Sequence, residues 1–584
     1  MSLQTLFADE SILKRYVAEV VSWDTGSGGE TISYFSGHGF TTGAAETPAN
    51  TYFSPRIIGG FQFQRSMFDG SQLGGRGLPS FGDLVLANDD GGLDELVDNN
   101  FDGRQIIIRV GADGDVIADF LVLFDGLTDG ISFDDNTISI RLRDRGFKLD
   151  RVFHRDIYPD TADVNLVGQP IPECYGQVFN VTPILTDEPE QTFQVHNGRI
   201  ESVTVYDDQV DITAFVTADL TAGTFKVDVP ILGAITADVE GDKRNGLYRT
   251  TVADILTLVA QDRGLTDFDD AAIDTLNDVA PQTVGAFVTS PTNTLDVFDV
   301  LINSVGAFYG FNRAGEFTVG CIESPVVADS VLTLTNTELD EAGLERLPTL
   351  FPRFRTVVGY APNFTLQQDL TTDQVIFTAN FNDIITSTFD EPFFKSLGVG
   401  NFLVSTDNAR VTSINGAHVD VQDTALTVEI VTLETALEGL PAAEVLISEA
   451  TPVAADTTVN IEIHGPAGAA TSARVKFARQ LFRTEQETDS SILNGHPQAQ
   501  EIRVDTALAL EADADAEAAR LNAIYKIKRD VYANTYNTKP LFLELGETIT
   551  IQSPRFDLAD GKPMLVVGVD EDVAAGLVTL TLWG

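Results

Sequence analysis

Across the first 155 residues short apolar-rich runs, at 14–21, 83–87, 105–110, 119–124 and 137–142, are separated by Gly, Asp and Asn. This segment reads as short strands, all-β. In the last run Ile138, Ile140 and Leu142 share one face, and Ser139, Arg141 and Arg143 share the other. One face packs and the other meets water or a partner. From Tyr158 to Pro230 the pattern stays β but is punctuated by Pro159, Pro170, Pro172, Pro183 and Pro189. There, His196-Asn197-Gly198 predicts a hairpin between 192–195 and 199–205.

The period changes at Thr251, a candidate N-cap. Val252, Ile255, Leu256, Val259 and Ala260 follow at helical spacing, and Gly264 stands just past the end. A second helix is predicted over 294–305 from the stripe Leu295, Phe298, Leu301, Ile302 and Val305, with a hairpin behind it, 307–312 and 316–322, around Arg313-Ala314-Gly315. Strand patterns return at 355–359, 375–381, 425–433 and 459–463, and 360–470 reads as an inserted β module. A long helix is predicted over 511–532, then closing strands at 541–543, 548–552, 564–569 and 578–582. No fixed-period repeat supports a solenoid or propeller. The predicted fold is mainly β with one α/β module (α+β), multi-domain. Its parts are a β domain (1–155), a sheet domain (156–240), a helix-hairpin module (241–345), strands carrying the insertion (346–485), and the long helix with closing strands (486–584).

Length and charge narrow the function. At 584 residues the chain is long enough for several domains, each with its own core. Its 87 acidic against 37 basic side chains leave a net charge of −50, whereas 43% hydrophobic residues make an ordinary folded composition. Non-specific nucleic-acid binding needs Lys and Arg to displace counterions from phosphate, and this surface does the reverse. No run of about 18 apolar residues occurs, and the opening lacks a basic-then-apolar signal, so the chain is expected to be made and folded in the cytoplasm. Cys174 and Cys321 stand far apart with no CxxC pair, which reads as two buried thiols rather than a disulfide framework or a zinc ribbon.

Asp98-x-Asn100-x-Asp102-Gly103 matches the first half of a calcium-binding loop, but its twelfth position is Arg109 within the apolar run Ile106-Ile107-Ile108. A tight Asx-rich turn before a strand accounts for the same letters. The six histidines form no HExxH helix, and there is no GxSxG elbow or GxxxxGK[ST] loop. Neither a cofactor nor a catalytic residue is assigned. Acidic pairs are frequent enough to arise from composition alone. Basic residues gather at Arg141, Arg143, Arg145, Lys148, Arg151 and Arg155, and again at Arg474, Lys476, Arg479 and Arg483. Either set could meet nucleic acid, but in so acidic a chain such a face more often meets an acidic face of a neighbouring subunit. Arg141, Arg143, Arg145, Arg474 and Lys476 are therefore candidates for contacts between subunits.

Several stretches resemble the hub, or tail-tip, proteins of long-tailed bacteriophages and phage-derived gene transfer agents. Phe81-Gly82-Asp83-Leu84-Val85-Leu86-Ala87-Asn88 followed by Leu93-Asp94 and Asp102-Gly103-Arg104 is similar to their amino-terminal β domain. The stretch from Ile231 to Gly241 before the first helix is similar to the link into their α/β module. Leu545-Gly546-Glu547-Thr548-Ile549-Thr550-Ile551, with Pro554-Arg555-Phe556-Asp557-Leu558 and Gly561-Lys562, resembles their final barrel, although Glu547 and Asp557 stand where Asp and Gly belong to the pattern. The resemblance covers about three quarters of the chain and leaves the insertion unexplained. It implies a structural, non-enzymatic homotrimer located in the virion at the tail tip. Two tail-tube-like barrel domains per subunit would form a ring beside a distal tail protein, other tail-tip proteins and the tape-measure protein, with phage DNA passing through without sequence-specific binding. The acidity then has two readings, a channel wall that repels phosphate or a general solubility or salt adaptation. An insertion that binds host-surface glycan is the alternative role, and a tail-associated cell-wall hydrolase is a third.

Overall fold

The computed structural model describes residues 2–370 and 472–584, with short breaks at 10, 61, 69–72, 232, 341–342, 348–350, 369, 538 and 574. Between 371 and 471 it describes seven strands, from Val375–Ala379 to Val459–His464. The fold is mainly β and multi-domain.

The short runs of the first 155 residues form the strands they predict: Lys14–Asp24, Leu73–Ala87, Gln105–Ala112, Leu121–Phe133 and Thr137–Arg143. Ile138, Ile140 and Leu142 are buried, while Ser139, Arg141 and Arg143 face outward. Gly29–Ser36 pairs with Lys14–Asp24, and the order continues through Gln105–Ala112, Leu121–Phe133, Thr137–Arg143 and Leu73–Ala87 to Gln62–Phe68. There the sheet takes up the end of the chain. Gln62–Phe68 pairs antiparallel with Lys562–Asp572, Gly568 opposite Ser66, and the order runs on through Leu577–Trp583 to Val531–Asn537. Both chain ends thus belong to one 18-stranded sheet. Where the resemblance implies two barrels, the described strands close none. Edge-to-edge pairing lets the two strand sets share one core, in which Leu84, Ile106 and Ile140 pack with Leu543, Met564 and Leu580.

The helix-hairpin module packs as a second layer. Helix Val252–Asp262 starts where the Thr251 hydroxyl accepts the Asp254 N–H. Helix Thr294–Asn303 starts at Asn293 and stops two residues short of prediction, ahead of Gly306 at φ +54°. A third helix, Asp270–Val279, capped by Asp269, is absent from the hydropathy reading because only Ile273 and Leu276 mark its buried face. Hairpin Ala307–Phe311 and Phe317–Cys321 forms as predicted. Phe317 is fully buried, with the rings of Phe268, Phe298, Tyr309 and Phe311 centred 5.9–6.3 Å away.

Three local expectations change. The long helix ends at Tyr525, because Val531–Asn537 alternates and pairs along its whole length with Leu577–Trp583. Residues 541–543 are turn and coil rather than strand, although Leu541 and Leu543 are fully buried. The predicted hairpin at His196 does not form. Thr192–Gln194 joins a four-stranded sheet with Ile184–Asp187 and Thr224–Val227, and Ile200–Asp207 joins a five-stranded one beside Ile235–Asp242. His196, fully buried between them, is held by charged groups and is not a turn residue facing water.

Among its described strands the insertion pairs only with itself, and its first and last strands, Val375–Ala379 and Val459–His464, pair with each other. Its neck is tied. Asn363 Nδ2 donates to the carbonyls of Phe477 and Ala478 at 3.1 and 3.0 Å, the Gln367 N–H donates to Ala478 at 2.9 Å, and Leu370 packs on Val475 and Ala478. Replacing 371–471 by a short Gly/Ser linker is therefore expected to leave the main melting transition within about 2–4 °C of wild type, since loop length costs little once the neck is held. Calorimetry of the excised variant checks this.

Candidate functional site

The modules meet at the tip of hairpin Ala307–Cys321. Gly315 turns there at φ +75°, and a side chain at that position would run into the Asp125 carbonyl, so glycine is required for the tip to dock. The Asp125 N–H donates to the Arg313 carbonyl at 3.1 Å. The Arg313 guanidinium donates to both oxygens of Glu571 at 3.1 and 3.0 Å and to the Leu123 carbonyl at 3.4 Å, and it lies 4.9 Å from the Phe542 ring centre. Glu571 is fully buried and also accepts the Phe542 N–H at 2.7 Å. One arginine of the helical layer thus links the amino-terminal and carboxy-terminal strand sets, a single Nη reaching both oxygens of the buried carboxylate. The hydropathy reading sees this residue only as a turn letter.

Beside the tip lies a half-open cleft of about 810 Å3. The hairpin, helix Asp270–Val279, the 544–547 loop and the Arg76–Leu78 stretch enclose it. Arg76 holds Asp299 at 2.7 Å, and the Tyr309 hydroxyl donates to the same carboxylate at 2.8 Å. Arg65, buried, pairs with Glu544. Burial pushes the Glu547 carboxyl up, partly offset by the hydrogen bond it accepts from the Glu544 N–H.

A second charged cluster lies where the five-stranded sheet meets helix Val252–Asp262, with Glu173, His196 and Asp242 buried and the arginines partly exposed. Arg155 makes a two-point contact with Glu173 at 2.9 Å, and Arg244 bridges Asp242 at 2.6 Å and Asp262 at 2.8 Å. His196 accepts the Cys174 N–H through Nδ1 and faces Asp242 through Nε2 at 3.3 Å. Burial alone would raise the Asp242 carboxyl, but the His196 hydrogen bond and the Arg244 guanidinium outweigh it and hold the group below its ordinary value. In the turn after strand Ser330–Leu334 burial likewise acts upward on Glu338, yet hydrogen bonds from Thr335 and Lys539 bring it to about 2. Carboxyls lowered on folding stabilise the fold above their unfolded value and lose that contribution as pH falls toward the folded one. The urea midpoint is therefore expected to drop between about pH 5 and pH 2, less steeply in Glu338→Gln and Asp242→Asn than in wild type, as urea titrations at stepped pH would measure.

The candidate cations divide. Arg145 is buried and holds Asp125 at 2.7 Å and Asp267, both in its own chain. Arg474 likewise binds Asp238 at 2.8 and 2.9 Å and stacks 3.8 Å from the Tyr206 ring centre. Both serve joints inside the subunit. Arg143 is partly exposed and Arg141 is 71% exposed, each within 3.7 Å of Asp129, and Lys476 is exposed. Asp98, Asn100 and Asp102 are exposed on a strand-leading turn. The Asn100 backbone bridges Trp23, the Thr25 hydroxyl donates to the Asp98 carbonyl, and Arg109 pairs with Glu19 on the neighbouring strand. Among the described residues no group of three His, Cys, Asp or Glu side chains is arranged to hold a metal. Cys174 is buried and Cys321 partly so, and both are free thiols.

No protein-family model matches the chain, and no curated protein matches it. Solved structures do. Its structural neighbours are phage tail proteins. A chain of a native gene transfer agent virion is 10% identical with a TM-score of 0.38, over 71% of this chain and 84% of that one. The 43 kDa tail protein of prophage MuSo2 from Shewanella oneidensis is 10% identical with a TM-score of 0.34, over 91% and 96%. Prophage tail protein gp18 from Listeria monocytogenes is 8% identical with a TM-score of 0.35, over 98% and 94%. Likeness at this level carries no functional argument.

Proposed function

We propose that the chain is a structural, non-enzymatic subunit of a phage-type tail tip, three copies of which form a hub ring around the DNA channel. The observation that supports this most is the single sheet holding both chain ends side by side through Gln62–Phe68 and Lys562–Asp572. Two strand sets placed edge to edge in each subunit let three subunits offer six, the match a three-fold tip needs to continue a six-fold tube. Hairpin-tip pairing through Arg313 fixes the angle between them, as a force-bearing joint requires. The neighbours in this reading are the distal tail protein, other tail-tip proteins and the tape-measure protein. Three copies at −50 each carry −150. Placed on the channel wall, that charge keeps passing DNA from adsorbing, with repulsion screened over about 8–10 Å at ordinary salt.

The self-paired, neck-tied insertion favours a second role, a separable module presented to host-surface glycan. Unchanged adsorption after its excision removes that role. Light scattering tests the hub reading: the purified chain of 63.1 kDa is expected at about 189 kDa, and a stable monomer at micromolar concentration contradicts a ring built from this chain.

A further inference from the structure

We propose that the cleft beside the hairpin tip binds a short extended peptide segment of another protein, carrying one carboxylate between apolar side chains. Its volume of about 810 Å3 falls in the range of ligand pockets, about 300–1,000 Å3. Leu149, Leu276, Leu295, Phe308, Phe311 and Leu545 give it an apolar lining. Its acids already have partners in the walls. Asp144 accepts the Gly146 N–H at 2.9 Å, Asp150 the Asn293 amide at 2.6 Å, Asp269 the Ala272 N–H and Thr318 hydroxyl at 3.1 and 3.0 Å, and Glu547 the Glu544 N–H at 2.8 Å. Glu544 pairs with Arg65.

Two donors are left. Arg143 Nε and Arg313 Nε are buried and make no hydrogen bond, Arg313 Nε having only Glu544 Oε1 at 3.5 Å. Both residues line the cleft, and the end of the Arg143 guanidinium is reachable from it: the side chain is 34% exposed and its Nη1 holds Asp129 only at 3.5 Å. A carboxylate is the acceptor that suits a pair of guanidinium edges. One such charge fits; a run of acids would be repelled by a chain of −50.

The hairpin register supplies the extended shape. The Asn312 N–H donates to Glu316, and Tyr309 stands opposite Val319, so alternation turns the backbone groups of Phe317, Val319 and Cys321 away from the partner strand. Phe317 already uses that side, donating to Asp267 and accepting from Asp269 at 2.9 and 3.0 Å. Val319 and Cys321 line the cleft further along the same edge, where an added strand finds main-chain partners. The inference stands on the cleft alone and does not depend on the tail reading.

Selection of a random octapeptide library on the immobilised full-length chain tests it. Enriched peptides are expected to carry a single Asp or Glu between apolar residues. A synthetic copy of the best peptide should weaken at least tenfold when its acid becomes the amide. It should weaken comparably on Arg143→Gln and lose binding to Ala271→Trp, which fills the mouth, while circular dichroism stays unchanged. No enrichment over background, equal binding to acid and amide peptides, or equal binding to wild type, Arg143→Gln and Ala271→Trp overturns the proposal. Peptides matching this chain's own sequence, with binding that tracks self-association, also overturn it, by making the occupant a second copy.

Discussion

Replacing Arg313 by alanine is expected to destabilise the protein by about 3–5 kcal/mol, because it strips the partner from a fully buried carboxylate. Glu571 would keep the Phe542 N–H but lose both guanidinium contacts, and the hairpin tip would lose its hold on the Leu123 carbonyl. Arg313→Lys is expected to recover part of the loss, since an ammonium keeps one nitrogen that can reach both Glu571 oxygens but gives up the Leu123 carbonyl contact. Adding Glu571→Gln to Arg313→Ala should recover part of it, because the orphaned charge goes with the second change. Urea titration of the four proteins measures these differences. Equal stability of wild type and Arg313→Ala would mean that the tip is not the joint between the strand sets.

Phe317→Ala is expected to cost about as much, roughly 3–5 kcal/mol, through a cavity at the centre of the helical layer. Phe317 has Phe298, Tyr309, Phe311 and Phe268 around it, on a helix, the facing strand of the hairpin and the loop before Asp270–Val279. Neighbours fixed on so many elements cannot collapse into the gap. Phe317→Leu, which fills most of the volume, should cost less than half as much. The prediction fails if calorimetry finds the alanine variant within about 1 kcal/mol of wild type.

Alternation and caps made much of the fold legible. The run 137–142 is a strand because a period of two has one way to bury its apolar half, and Thr251 and Gly264 bound a helix whose end groups need partners. Joining the two chain ends was not legible, since the pairing of Ser66 with Gly568 depends on tertiary packing that no local pattern records. Helix Asp270–Val279 was hidden by its acids: Asp269 caps it, yet in this composition the pair Asp269-Asp270 looks like any other. The helix predicted over 511–532 runs past its end at Tyr525 because Ala-rich spacing sets the expectation, whereas pairing with Leu577–Trp583 makes Val531–Asn537 a strand.

At the candidate site the residue type was legible and its partner was not. Arg145 and Arg474 were marked as cations seeking carboxylates, and they found Asp125, Asp267 and Asp238 within their own chain. Arg141 and Lys476 remain the more exposed members of the two basic sets and the better candidates for neighbouring subunits. Arg313 gave one available signal, a cation beside a glycine at a hairpin tip, which gains meaning only once Gly315 is seen to dock on Asp125.

The central claim concerns position in a particle, and a cryo-microscopy map of tail particles containing this chain tests it most directly. The account predicts three copies around the tail axis at the tip, with Gln62–Phe68 and Lys562–Asp572 pairing inside each copy and acidic side chains on the channel wall. Six copies along the tube, a position off the axis, or absence of the chain from purified particles would contradict it.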